Sequence, residues 1–123
     1  MPQLEQLIYE SLVQSSPQTS AGGRVYPEVA PEKTSLPRIT YTRISTTPQN
    51  SFDGHARIDR VIMQVDCWER SRAKSLDLAR EVRLAMPSSL AFKPILQAEY
   101  DSFEPETRLY RRTLEFACWD KSF

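Results

Sequence analysis

An abrupt change of hydrophobic period at Ser71 constrains this chain more than any other feature. Before it, in "RIDRVIMQVDCW" (57–68), Val61, Met63, Val65 and Cys67 alternate with Arg60, Gln64 and Asp66, whose side also carries Ile62 and Trp68. That is the period of a strand covered on one face. After it, "SRAKSLDLAREVRLAM" (71–86) repeats at helical spacing, with Ser71 as N-cap and Pro87 forcing an end near Met86. The spacing predicts a buried stripe of Ala73, Leu76, Ala79, Val82 and Met86, with Arg72, Lys74, Asp77, Arg80, Glu81 and Arg83 solvated.

The other segments follow the same two periods. Leu4, Leu7, Ile8 and Leu12 predict an amphipathic helix over about residues 3–15, stopped by Ser15-Ser16-Pro17. Gly22-Gly23 marks a turn before the extended piece "RVYP", and Val25, Tyr26 and Val29 are apolar enough to be expected against the protein. "RITYTRIS" (38–45) is β-branched and aromatic, a strand with Ile39 and Tyr41 on one face. A loop is expected over Thr46 to Ala56, where Pro48, Asn50 and Asp53-Gly54 argue against regular structure. "ILQAEYDSF" reads as a strand breaking at Glu104-Pro105. "RLYRRTLEFACW" reads as the last strand, with Tyr110, Leu114, Phe116 and Cys118 on a face that Arg112 interrupts. Strands broken by single helices give an expected α+β fold: a mainly antiparallel sheet of four to five strands with two helices packed on one face. The 123 residues are the material of one domain, 1–123.

Composition narrows function chiefly by exclusion. Sixteen basic residues balance 16 acidic ones, so no overall field gathers nucleic acid or an anionic membrane. No apolar run approaches the roughly 20 residues of a membrane helix, and "MPQLEQLIYESL" lacks the basic start of a secretion signal; a soluble, cytoplasmic protein is expected. The two cysteines sit in apolar strand patterns, where a small hydrophobe is their usual role. The single histidine, His55, stands two residues after Asp53 in a turn-forming loop, and no nucleophile elbow, phosphate loop or zinc-helix motif occurs. No catalytic residue, metal or cofactor is therefore expected. Glu104 and Glu106 flank Pro105 and are expected to start the strand and pair with Arg108 or Arg111. "RLYRR" has the basic and aromatic mixture of a nucleic-acid surface, with Arg38, Tyr41 and Arg43 as possible neighbours. Across 99–115, however, five acids stand against three bases, which argues against specific nucleic-acid binding.

Three stretches taken together resemble the tail completion, or tail terminator, proteins of long-tailed bacteriophages. They are "GGRVYPEVAPEKTSLPRITYTRIS", "ARIDRVIMQVDCWERSRAKSLDLAREVRLAM" and "YDSFEPETRLYRRTLEFACW", in that order and spacing, over Gly22 to Trp119. The sequence departs from the pattern at Arg108, where a small or neutral residue is commoner, and in the short segment Pro87 to Pro94. The resemblance implies a non-enzymatic virion protein at the head-proximal end of the tail, assembled in the host cytoplasm. Its implied partners are itself, as a ring of typically six subunits, the tail tube protein and the head-tail connector. Charge segregation suggests that Arg111, with Arg108 or Arg112, pairs with Glu104, Glu106 or Asp101 of a neighbour. The long loop with Pro48, Phe52, Asp53, His55 and Arg57 is the expected docking element on tube or connector.

Overall fold

The computed structural model describes residues 3–13, 21, 23–49 and 58–120. The elements are α1 (Leu4–Val13), β1 (Val25–Pro27), β2 (Arg38–Gln49), β3 (Ile58–Glu69), α2 (Arg72–Ala85), β4 (Ile95–Glu104) and β5 (Leu109–Asp120). The strands form one sheet in the order β1-β2-β3-β5-β4. All neighbours are antiparallel except the three-residue β1, which pairs with β2 in parallel. The fold is α+β, as expected, and β1 is the fifth strand.

Alternation sorts the sheet into two faces. Ile39, Tyr41, Val61, Met63, Val65, Cys67, Leu114, Phe116 and Cys118 join Leu4, Ile8 and Leu12 of α1 and Leu78, Ala79, Val82 and Ala85 of α2 in one core. Both helices therefore cover the same face. Burying a side chain such as Phe116, 2% exposed, contributes about 1.5–3 kcal/mol. Cys118 lies opposite Val61, six positions along β3 from Cys67, so roughly 20 Å separates the two free thiols at the rise of a strand.

Helix α2 starts as expected: Lys74 N donates to Ser71 Oγ at 3.2 Å. Its buried stripe is rotated from the expected one. Ser75, Leu78, Ala79, Val82 and Ala85 are buried with Met86, whereas Ala73 is exposed, Leu76 half-buried and Glu81 only partly solvated. Ser75 can sit in the core because its hydroxyl donates to the Arg72 carbonyl at 2.8 Å. A polar residue so satisfied is invisible to a reading that counts apolar positions.

Strand β2 runs four residues beyond the expected end and takes in Thr46–Gln49, including Pro48. Hydrogen bonding explains how. Ile39 donates to Arg24 O at 2.9 Å and Tyr41 accepts from Glu28 N at 2.8 Å, so odd residues of β2 turn their backbone groups toward β1 and even ones toward β3. The extra residue between Arg43 and Ser45 reverses that parity. Beyond it Thr46 and Pro48 face an edge that is free among the described residues, where no ladder N–H is required of a proline. Val29 also departs from expectation: it is 80% exposed, on a loop fixed through the Glu28 backbone, while Val25 is buried.

Candidate interaction surfaces

Strands β4 and β5 are joined by a tight loop, Pro105 to Arg108. Arg108 donates its N–H to Glu104 O at 2.8 Å and closes the turn with φ at 59°, a left-handed conformation that costs a residue with a Cβ about 1–2 kcal/mol. This gives a physical reason for a small residue at the position where the sequence departs from the family pattern. The expected carboxylate pairing takes another form: Glu104 Oε1 accepts from Thr107 Oγ1 at 3.0 Å, and no ion pair joins Glu104 or Glu106 to Arg108 or Arg111 among the described residues. Glu106 and Arg108 are exposed at the loop tip, whereas Glu104 and Arg111 are half-buried.

Arg111 belongs to the face that the helices leave open. Its Nε donates to Ser102 Oγ at 3.0 Å, and its guanidinium lies 5.4 Å from the centre of the Trp68 ring. Arg38 approaches the same ring at 5.7 Å, and Trp68 Nε1 donates to Thr40 Oγ1 at 3.0 Å. Trp68 faces Arg111 across the ladder and Trp119 faces Arg60 at its other end. The two Cys-Trp dipeptides thus hold equivalent places: each cysteine turns inward and each tryptophan turns outward opposite an arginine. Asp66 on this face is 4% exposed, and accepts from Thr113 Oγ1 at 2.6 Å and Gln64 Nε2 at 2.9 Å. A cleft of about 410 Å³ lies here, between Val29 of the loop and Trp68, Glu104 and Arg111 of the sheet.

On the helix face Arg112 does not break the core, because β4 supplies its partners. Glu99 accepts from its Nε, and Asp101 Oδ1 accepts from Nη1 at 2.8 Å. Arg83 and Arg72 of α2 reach the same two carboxylates at 3.6 and 3.9 Å. Arg112 and Asp101 are thus engaged within the chain. Tyr41 is buried and Arg43 points to the helix side, where its Nη2 meets Glu5 Oε1 at 2.7 Å and Asp120 Oδ2 at 3.1 Å. That hydrogen bond, reinforced by the guanidinium charge, holds the Glu5 carboxyl below its ordinary pKa. Strand β3 separates β2 from β5, so Tyr41 and Arg43 do not join "RLYRR" in one basic surface, and Arg38 meets it only through the Trp68 ring that it shares with Arg111. Burial pushes the Cys118 thiol up to about 12 and the Cys67 thiol well above its usual range, and both are inert at neutral pH.

Of the expected docking loop, Pro48 is placed, exposed on the free edge of β2. Phe52, Asp53, His55 and Arg57 lie outside the described residues. Among the described residues no cluster of metal-ligating side chains occurs, and no helix is long and apolar enough to cross a membrane. Sequence reasoning did not single out Trp68 and Trp119. The strand period already set Trp68 on the polar face, but its pairing with Arg111 depends on register.

The fold has a counterpart among proteins of phage-type particles. The family model described as tail completion protein gp17 matches residues 6–120, and the chain belongs to that family. A chain in the virion of a native gene transfer agent particle has the same fold, with a TM-score of 0.72 at 13% identity over 94% of this chain and 92% of that one. No protein of curated function matches the sequence. Membership of the family makes this a structural protein of a phage-type tail.

Proposed function

We propose that the protein closes the finished tail tube as a homo-oligomeric ring of about six copies, stops tube growth and offers the head connector a joining surface. The observation that carries this reading is the family match over residues 6–120. Such a role is non-enzymatic. It needs one ring face that complements the tube end and another that does not, so that addition halts, and a closed ring makes individually weak contacts act together.

Two surfaces would serve it. Arg108 and Arg111 on one subunit, with Glu104 and Glu106 on the next, supply charges of both signs around the β4-β5 loop, as a head-to-tail ring requires. The segment around Pro48, with Phe52, Asp53, His55 and Arg57, would meet the tube or connector. Assembly of tails without this protein, measured by negative-stain length distributions, tests the role. Tubes of uncontrolled length that become uniform on adding it are the expected result. Uniform headless tubes in its absence would favour a connector or stopper role instead. Native mass spectrometry over a concentration series should give closed rings of about six copies, and Arg111→Glu should reduce them.

A further inference from the structure

The two ends of the sheet are finished differently. At one end β1 covers only Ile39 to Tyr41 of β2, and the rest of that edge carries an extra residue between Arg43 and Ser45 and then Pro48, whose nitrogen faces outward with nothing to donate. Short strands, bulges and prolines of this kind protect an edge against further pairing. The other end, β4, has ten residues with no proline and no lysine between Ile95 and Glu104, and its own register shift, between Leu96 and Ala98, lies before a regular run from Ala98 to Glu104.

Ladder parity identifies what β4 presents. Trp119 donates its N–H to Phe92 O at 2.8 Å, away from β3, so the odd residues of β5 turn their backbone toward β4. Their partners Ala98, Tyr100, Ser102 and Glu104 are consumed by that ladder. Glu99, Asp101 and Phe103 therefore point N–H and C=O outward, one set every second residue, and no backbone partner meets their N–H groups among the described residues. Three of the large exposed hydrophobic side chains flank the same edge: Ile95 and Tyr100 toward the open face, at 48% and 44% exposure, and Phe103 toward the helix face at 45%.

We propose that the free edge of β4 receives an extended, proline-free segment of a different tail protein, added as a sixth strand with its apolar side chains against Tyr100 and Phe103. This rests on the tail role proposed above. Main-chain bonds to Glu99, Asp101 and Phe103 would supply affinity, and the flanking side chains register. A second copy is the poorer occupant. Twofold pairing of β4 with itself about Tyr100 sets Glu99 opposite Asp101 twice, and pairing about Asp101 sets two Asp101 side chains face to face; like charges directly opposite disfavour pairing. Pairing about Ser102 avoids this but sets Glu99 opposite Pro105, which has no N–H to give. Head-to-tail pairing would need the protected β2 edge of the next copy.

The test compares Asp101→Pro, which removes one outward N–H, with Asp101→Ala, which removes the same side chain and keeps it. Each is co-expressed with the remaining tail proteins, and its amount in purified tails is measured. In parallel, hydrogen exchange of the peptide 96–104 is followed in wild-type protein alone and in tails, a readout that holds if the proline variant does not fold. The proline variant should be depleted from tails about tenfold or more relative to the alanine variant, the effect of one unmade hydrogen bond at a docked edge. Exchange of 96–104 should slow at least as much on entering tails. Equal incorporation of two folded variants, or unchanged exchange, overturns the β4 edge alone. Protection that already develops in the isolated protein as concentration rises assigns the edge to a second copy and also overturns it. Tails that carry no wild-type protein overturn the tail role and this inference with it.

Discussion

Cys67 and Trp68 are adjacent in sequence and stand on opposite faces of one sheet, and those faces are held by different physics. The helix-covered face is a continuous apolar core in which Met63, Val65, Leu114 and Phe116 are at most 2% exposed. The open face is a set of specific polar contacts, Thr113 to Asp66, Trp68 to Thr40 and Tyr100 to Glu115, the last at 2.6 Å. Apolar burial is non-directional and tolerates approximate shape, whereas a buried carboxylate depends on particular donors. The first face sustains the fold; the second keeps aromatic rings and guanidinium groups ordered at a surface that other proteins can reach.

Removing bulk from the core should have the largest effect. Phe116→Ala is expected to lower unfolding stability by about 3–5 kcal/mol, read from urea unfolding followed by tryptophan fluorescence. On the open face, Thr113→Val keeps the shape and takes one donor from the buried Asp66. A loss of about 1–3 kcal/mol is expected; a loss below about 0.5 kcal/mol would mean that water replaces the hydroxyl and that this face is less ordered than the core. At the hairpin where both faces end, Arg108→Gly relieves the positive φ and should raise stability by about 0.5–1 kcal/mol, offset in part by the freedom of glycine in the unfolded chain.

The smallest effect concerns pH. The folded-state pKa of Glu5 is depressed, so its contribution is fully present above the unfolded carboxylate value and is lost as pH falls through the folded one. Glu5→Gln should therefore flatten the acid side of the stability profile and leave the alkaline side unchanged, with a modest amplitude because the pair is partly exposed. Thiol labelling separates the faces without mutation. Cys67 and Cys118 should stay unmodified at neutral pH until the protein unfolds, and rapid labelling of either would show that the helix face opens.

Several elements were legible in the sequence because their signals are local. Ser71 as N-cap, the inward set of Val61, Met63, Val65 and Cys67, and the break at Glu104-Pro105 all stand as the periods imply. Misreadings came where a hydrogen bond or a bulge overrides the preference of a residue type. Pro48 sits within a strand because a bulge turns its nitrogen to the free edge. Ser75 is buried because the carbonyl three residues before it satisfies it. Arg112 does interrupt the core face as the period implies, but its partners Glu99 and Asp101 arrive from β4 and were not legible. The candidate surfaces were less legible: residue types named Arg111 and Glu104, but only register brought Trp68, Arg38 and Arg111 together.

By itself the sequence determined the α+β class, the order of the elements and which residues of each central strand face inward, since hydrophobic period and caps act over a few residues. Only the tertiary structure decided the strand order β1-β2-β3-β5-β4, and with it which edge is protected and which lies open. Strand pairing joins residues far apart in the chain, and an edge is defined by the absence of a neighbour, for which no local pattern codes.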